Sequence, residues 1–146
     1  MITIQEIDIK NVYPIRNLVL RRGKPIESCY FSNDEKETTV HFGLILDKKV
    51  IGVVSLFEQK SDLFVEINQF QMRGMAVLEE FQQKGYGKLL IKKAENYCLE
   101  KKGALIWFNA RENAKNFYQK LDYTINGKPF DIENIGLHYI MFKKLM

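Results

Sequence analysis

The sequence has little of several features that define other classes of protein. Its 146 residues include only two cysteines and two histidines, which are too few for a disulfide framework and have no metal-ligand spacing. We therefore expect no bound metal and a reducing compartment. The chain has only three prolines and contains neither an internal repeat nor a low-complexity tract. These absences exclude a fibrous, repetitive or disordered protein.

Long hydrophobic runs are also missing. The most apolar stretch, residues 50–57, is interrupted by Gly52 and Ser55 and is too short to span a bilayer. Residues 1–8 alternate between apolar and polar side chains and include the acidic residues Glu6 and Asp8. A signal peptide would instead need a basic stretch followed by an apolar run. We expect a cytoplasmic protein with no membrane partner.

The excess of positive charge is small. There are 22 Lys and Arg residues against 18 Asp and Glu, a net charge of +4, and most of the basic residues form scattered pairs. This surplus suits an anionic ligand but is too small and dispersed to indicate a nucleic-acid partner. The length, together with 46% hydrophobic and 27% charged residues, predicts one globular domain over residues 1–146.

Hydrophobic periodicity predicts a mixed α/β domain around one central sheet, flanked by helices. Asn109 and Glu112 could cap the third helix. Gly74 lies inside the fourth strand, where a glycine often marks a bulge or the close approach of a ligand. The predicted strands are 2–9, 39–46, 50–57, 63–77, 104–109, 123–130 and 137–142, and the predicted helices are 11–21, 85–102 and 110–121.

The start of the second predicted helix is the segment whose residues favour an anion-binding site. Gly85 and Gly87 bracket Tyr86 there, and Lys84 and Lys88 add positive charge. The free N–H groups of a helix N-terminus attract anions, and glycines let a phosphate approach the main chain. The alternative is a glycine-containing helix start with exposed lysines.

Two common phosphate motifs do not fit this segment. A P-loop needs serine or threonine after the lysine, but Leu89 follows Lys88. A dinucleotide fingerprint needs a third glycine where Leu90 stands. Neither nucleotide hydrolysis nor hydride transfer therefore gains support.

Two sequence blocks instead resemble the motifs of the GNAT superfamily of N-acetyltransferases. Gln82-Gln83-Lys84-Gly85-Tyr86-Gly87 resembles its coenzyme A motif, and the block from Asn113 to Tyr123 resembles its second signature. Asp122 departs from the usual helix-ending glycine, and Gln83 stands at a position that is often glycine. The chain is also similar to small bacterial GNAT proteins of largely undefined substrate in the motifs at 41–43, 71–76, 107–111 and 136–141.

The resemblance implies a GNAT-like acyltransferase fold in which strands 4 and 5 splay apart to admit acetyl-CoA as co-substrate. Main-chain groups of the fourth strand would bind the pantetheine arm, and amides at the helix start would hold the pyrophosphate. The residues expected to bind CoA are Met75, Ala76, Val77, Gln82, Gln83, Lys84, Gly85, Tyr86, Gly87, Lys88 and Asn113.

The resemblance also suggests catalytic residues. Tyr118 would face the sulfur, where a phenol can act as general acid on the departing thiolate; the alternative is a core aromatic. Candidates for the general base are His138, which we favour, and Glu66, Glu133 and His41, any of them through a water. His41 could instead be structural.

Three polar residues flank the same region, namely Arg73, Asn109 and Arg111. We expect them to bind the acceptor, although caps and ion pairs are alternative roles.

The resulting expectation is an N-acetyltransferase that acts on the amine of a small molecule or peptide. Direct transfer in a ternary complex is favoured over an acetyl-enzyme, because Cys98 lies on an apolar helix face and Cys29 has no obvious base beside it. Because no base is unambiguous, a CoA-binding module that serves as a sensor or partner subunit is the alternative. A homodimer would be consistent with relatives that pair through sheet edges.

Overall fold

The computed structural model describes residues 1–145, which form one seven-stranded sheet flanked by three α-helices. The strands follow the order β1-β2-β3-β4-β5-β7-β6, and only β4 and β5 are parallel neighbours. This arrangement confirms the predicted mixed sheet. The strands are β1 (Ile2–Glu6), β2 (Val40–Leu46), β3 (Lys49–Glu58), β4 (Gln69–Val77), β5 (Leu105–Arg111), β6 (Thr124–Ile132) and β7 (Gly136–Lys144), and the helices are α1 (Tyr13–Leu20), α2 (Tyr86–Glu100) and α3 (Lys115–Gln119).

Helices α1 and α2 cover opposite faces of the sheet. Arg16 of α1 donates a hydrogen bond of 2.9 Å to Ser55 of β3. Three residues earlier in β3, a Cβ added at Gly52 would lie 3.1 Å from Leu90 of α2. Because side chains alternate along a strand, these two contacts place the helices on different faces. None of the helices within residues 1–145 is long and apolar enough to cross a bilayer.

The turn between β2 and β3 confirms the predicted antiparallel hairpin. Asp47 and Lys48 both adopt positive φ angles, of 49° and 71°. Two consecutive residues with positive φ match the type I′ turn, whose twist matches that of the flanking strands.

Strands β1 and β4 are shorter than predicted, since β1 ends at Glu6 and β4 begins at Gln69. The preceding residues Val65 and Ile67 are 90% and 81% exposed, so they do not belong to the core. The side chain of Gln69 explains the difference in β4, because its Oε1 accepts from the Ser61 main-chain N–H at 2.7 Å. Its amide also donates to nearby carbonyls, so the loop is held without a strand ladder.

The third helix is also shorter than predicted. Ala110 and Arg111 continue β5 because both pair with β7. The predicted cap is wrong as well: Asn109 lies in β5, and Glu112 forms an ion pair of 3.3 Å with Lys115. The residue that precedes α3, Ala114, provides no side-chain cap.

At the end of α2, the glycine is not the residue that adopts the left-handed conformation. Lys102, rather than Gly103, adopts the left-handed φ of 60°. A Cβ added at Gly103 would lie 2.9 Å from the ring of Phe70. The glycine therefore permits close packing of the chain on β4.

Candidate active site

Strands β4 and β5 pair over only three residues and then separate. Their parallel register runs from Gln69 opposite Leu105 to Gln71 opposite Trp107. The remaining main chain of β4 therefore has no strand partner on its β5 side. The predicted splaying of the fourth and fifth strands is confirmed.

A bulge in β4 lies beside this gap, as the sequence predicted. Ala76 pairs with Val53 and Arg73 with Ser55, so β4 has one residue more than β3 between these pairs. Gly74 lies in the bulge with φ +66°, and a Cβ there would be 2.9 Å from Nε of Arg16. Both the backbone angle and the close contact therefore favour glycine.

The gap forms a cleft of about 780 Å³. Its walls come from β4, β5, the start of α2, the segment around α3 and the end of α1. Among the residues predicted to bind CoA, Lys84 alone does not line it. The predicted residues that do are Arg73, Met75, Ala76, Val77, Gln82, Gln83, Gly85, Tyr86, Gly87, Lys88, Asn109, Arg111, Asn113, Tyr118 and His138.

The start of α2 forms one end of the cleft. Gly85 precedes the helix with φ 84°, and no side chain caps the first turn. Its free N–H groups and the open space around Gly85 suit an anionic group. A Cβ added at Gly87 would lie 3.2 Å from the ring of Phe117, so this glycine lets the segment of α3 approach α2. Gln82 fixes the loop by donating to the Val77 carbonyl at 2.8 Å.

The side chain of Tyr118 is buried in an aromatic cluster beside the same cleft. Its ring centroid lies 4.4 Å from that of Phe108 and 6.1 Å from that of Tyr123. Burial raises the pKa of Tyr118, and no group in residues 1–145 hydrogen-bonds its hydroxyl. This residue is therefore both a core aromatic and a protonated donor that lines the cleft.

His138 lines the other side of the cleft and is 4% exposed. Its Nδ1 lies 2.8 Å from the carbonyl oxygen of Gly136. Because a carbonyl oxygen only accepts, Nδ1 carries a hydrogen in this contact, and in the neutral ring the lone pair is therefore on Nε2. His138 stands directly opposite Arg111 in the β5–β7 ladder, so the two side chains share one face of the sheet.

The other proposed bases, Glu66, Glu133 and His41, do not line the cleft. Both ring nitrogens of His41 are engaged, Nδ1 by the Ser55 hydroxyl and Nε2 by the Asp34 carbonyl oxygen at 2.9 Å. Burial lowers the pKa of His41, which favours the neutral ring, and in that form Nε2 donates to the carbonyl while Nδ1 accepts from the hydroxyl. The structural alternative for this histidine is therefore the one that its contacts support.

The cysteines are both buried and lie outside the cleft lining. Burial raises the pKa of the Cys98 thiol to about 12, so this thiol stays protonated at neutral pH. Within residues 1–145, no group of three His, Cys, Asp or Glu side chains is placed to hold a metal ion.

Arg21 and Phe31 are among the cleft residues that sequence reasoning missed. The Phe31 ring lies between two guanidinium groups, at 4.0 Å from that of Arg16 and 4.2 Å from that of Arg73. No sequence signal identified either residue, because one lies at the helix end and the other in an irregular segment whose position depends on tertiary contacts.

Comparison with known proteins gives consistent results. The sequence profile of the Acetyltransferase (GNAT) family matches residues 10–123. The uncharacterized N-acetyltransferase YitI of Bacillus subtilis is 36% identical over 145 residues, which cover 99% of this chain and 97% of that protein.

Solved structures share the fold at low sequence identity. An aminoglycoside 6′-N-acetyltransferase complexed with coenzyme A is similar with a TM-score of 0.78 at 14% identity, over 99% of this chain and 97% of that one. The ribosomal-protein-S18-alanine N-acetyltransferase of Escherichia coli has a TM-score of 0.78 at 17% identity, over 99% and 94% of the two chains.

Proposed function

The chain belongs to the GNAT family of acetyltransferases and is an acetyl-CoA-dependent N-acetyltransferase, and from this premise we propose that it transfers acetyl directly to the amine of a small molecule or peptide. Transfer takes place in a ternary complex. The observation that carries the proposal is the cleft between splayed β4 and β5, which has an uncapped helix N-terminus and Tyr118 on one side and His138 on the other.

The residues of the cleft fit the proposed co-substrate. The amides at the start of α2, with Lys88 beside them, suit the pyrophosphate. The main chain of Met75, Ala76 and Val77 has no strand partner on its β5 side and can hydrogen-bond the amides of the pantetheine arm there, as a sheet edge pairs with an added strand. When bound, acetyl-CoA supplies an activated acyl group at the thioester carbon.

Tyr118 stabilises the leaving group in this proposal. Because its pKa is raised by burial, the hydroxyl is protonated and available to hydrogen-bond the sulfur as negative charge develops. A phenol with a raised pKa is a weaker acid than a thiol, so the hydroxyl donates a hydrogen bond rather than transferring its proton.

His138 accepts the proton that the amine must lose. Its Nδ1–H donates to the Gly136 carbonyl, which leaves the Nε2 lone pair free. As the N–C bond forms and the C–S bond breaks, the amine proton passes to Nε2 directly or through one water. Neither cysteine competes as an acyl carrier, because both lie outside the cleft lining.

The proposal is tested by calorimetric titration with CoA and by thiol release from acetyl-CoA across an amine library. Gly85→Ala should weaken CoA binding about 10-fold or more, the effect of losing a hydrogen bond to a charged group. Gly127→Ala is the matched control, since Gly127 has a similar φ of 79° and equally open surroundings but does not line the cleft.

The possible results separate the two functions. Absence of heat with both CoA and acetyl-CoA would refute the proposed site. Tight binding without turnover of any amine would favour a CoA-binding module. Initial rates would be measured while both acetyl-CoA and the amine are varied. Parallel lines in the double-reciprocal plots would indicate an acetyl-enzyme and contradict direct transfer.

A further inference from the structure

The α1 side of the cleft contains three arginines, Arg21, Arg73 and Arg111, which we call the arginine cluster. Arg21 Nη1 and Arg111 Nη2 both donate to the carbonyl oxygen of Leu20, at 3.1 and 3.4 Å. Two guanidinium groups therefore converge on one oxygen atom. Arg73 approaches from β4, with its guanidinium 4.2 Å from the Phe31 ring centroid.

These charges are not neutralised by the protein. No aspartate or glutamate is among the residues that line the cleft, and within residues 1–145 no member of the arginine cluster forms an ion pair. The nearby carboxylate of Asp34 is engaged by Arg16 at 2.9 Å, and its side chain is 3% exposed. The cluster is therefore an electropositive surface without a counter-ion.

Partial burial increases the effect of these charges. Burial and then the charge of Arg16 lower the pKa of Arg73, and burial and then the charge of Arg21 lower the pKa of Arg111. The carboxylate of Asp34 acts in the opposite direction on the pKa of Arg73 but does not offset burial and the neighbouring positive charges. An anionic ligand in the cleft would supply the missing partner, and guanidinium groups bind planar oxygen anions with two parallel hydrogen bonds.

The arginine cluster is also next to the proposed base. Because Arg111 and His138 are paired across β5 and β7, their side chains lie side by side on one face. When the amine of an acceptor is placed to give its proton to His138 Nε2, a substituent on the carbon next to that amine would lie near Arg111. A polyamine would instead meet uncompensated like charge at this end of the cleft.

We propose that the acceptor is an amine that carries an anionic oxygen group, either a carboxylate or a phosphate, and that Arg21, Arg73 and Arg111 bind this group. The proposal rests on the acetyl transfer proposed above and adds the chemical class of the acceptor. It excludes polyamines as preferred acceptors.

Paired acceptors test this proposal. Thiol release is measured for amino acids against their carboxamides, for phosphoethanolamine against ethanolamine, and for spermidine. The same acids and neutral analogues are titrated calorimetrically into CoA-saturated protein. The amine of the carboxamide is less basic than that of the amino acid, so more of it is unprotonated and reactive at neutral pH, and a preference for the acid must therefore come from binding. We expect at least one anionic acceptor to exceed its neutral partner about 10-fold in kcat/KM, the effect of a hydrogen bond between charged groups.

Arginine variants show whether the cluster causes the preference. Arg111→Gln should reduce the ratio of kcat/KM for the anionic acceptor to that for its neutral partner by up to about 10-fold, which brings the ratio close to one. Arg22→Gln is the matched control, because it removes the same charge one residue after Arg21. The Arg22 side chain is 72% exposed and pairs with Glu79 outside the cleft. This variant should leave the ratio unchanged. CoA affinity and the far-ultraviolet spectrum show whether each variant is folded.

The outcomes distinguish this inference from the proposed function. A carboxylate preference identifies the acid as the anchoring group, and a phosphate preference identifies the phosphate. Equal or better use of the neutral partner or of spermidine overturns the inference but leaves acetyl transfer intact. Failure of every anionic amine to bind CoA-saturated protein at millimolar concentration also overturns it. Whether the proposed CoA site exists is tested separately, by the titration with CoA alone.

Discussion

Replacing Tyr118 with phenylalanine separates the catalytic from the structural role of this residue. The ring packs 4.4 Å from Phe108, and phenylalanine retains that contact. The lost hydroxyl has no hydrogen-bond partner within residues 1–145, so the free energy of unfolding should change by less than about 1 kcal/mol. Activity should fall because the hydroxyl donates to the sulfur only as charge develops there.

The size of the activity loss follows from the hydrogen bond that is removed. A hydrogen bond to a charged group contributes about 1.5–3 kcal/mol. At about 1.36 kcal/mol per decade, the expected loss in kcat is about 10- to 160-fold. The assay is thiol release from acetyl-CoA with a saturating amine, combined with urea unfolding of the same preparation. CoA affinity should remain within about twofold, because Tyr118 acts on the transition state.

Tyr123→Phe is the matched control, because it removes the same hydroxyl from the same aromatic cluster outside the cleft. The Tyr123 hydroxyl donates to Glu95 Oε2 at 2.9 Å, and Lys143 Nζ contacts the same oxygen at 3.1 Å. Its loss should cost about 1–3 kcal/mol of unfolding free energy and leave kcat of the folded enzyme unchanged. Equal kcat in Tyr118→Phe and the parent would refute the reasoning, as would a large loss of stability in that variant.

Three further predictions concern stability. Asp34→Ala should cost about 3–5 kcal/mol in urea unfolding, because it leaves the buried charge of Arg16 without its partner at 2.9 Å; a change below 1 kcal/mol would contradict this. His41 has a lowered pKa when folded, so the unfolded chain binds more protons and stability should fall as the pH drops below about 6.5; His41→Gln should flatten this part of the pH profile between pH 5 and 7. Gly103→Ala should cost about 1–3 kcal/mol, because its Cβ would lie 2.9 Å from the Phe70 ring, and an unchanged melting temperature would disprove this clash.

The fold could be predicted from the sequence where local patterns determine the structure. The α2 face of Leu90, Ile91, Ala94 and Cys98 is buried as its helical spacing predicts. Element ends were wrong where a tertiary contact overrides the pattern. Gln69 holds the preceding loop through its side chain, and pairing with β7 extends β5 into the residues predicted to begin the third helix.

The left-handed residue at position 122 shows the same distinction on a smaller scale. Asp122 adopts φ 72° at the position where the motif that this segment resembles has a helix-ending glycine, and aspartate tolerates this angle better than most residues. At the end of α2, however, the glycine is required by the nearby ring of Phe70, and Lys102 takes the left-handed angle instead. Only the packing of α2 on β4 could show this.

The family and the segment proposed to bind CoA could be predicted from the sequence alone, because Gly85, Gly87 and the main-chain conformation around them are properties of one short segment. Only the tertiary structure brings together the residues proposed to bind the acceptor. The strand order places β7 beside β5, so that His138 pairs with Arg111 although 26 residues, including α3 and β6, lie between them along the chain. The end of α1 adds Arg21 from a third part of the chain. Charges that meet only through such long-range contacts leave no local pattern, so their convergence became visible only in the folded protein.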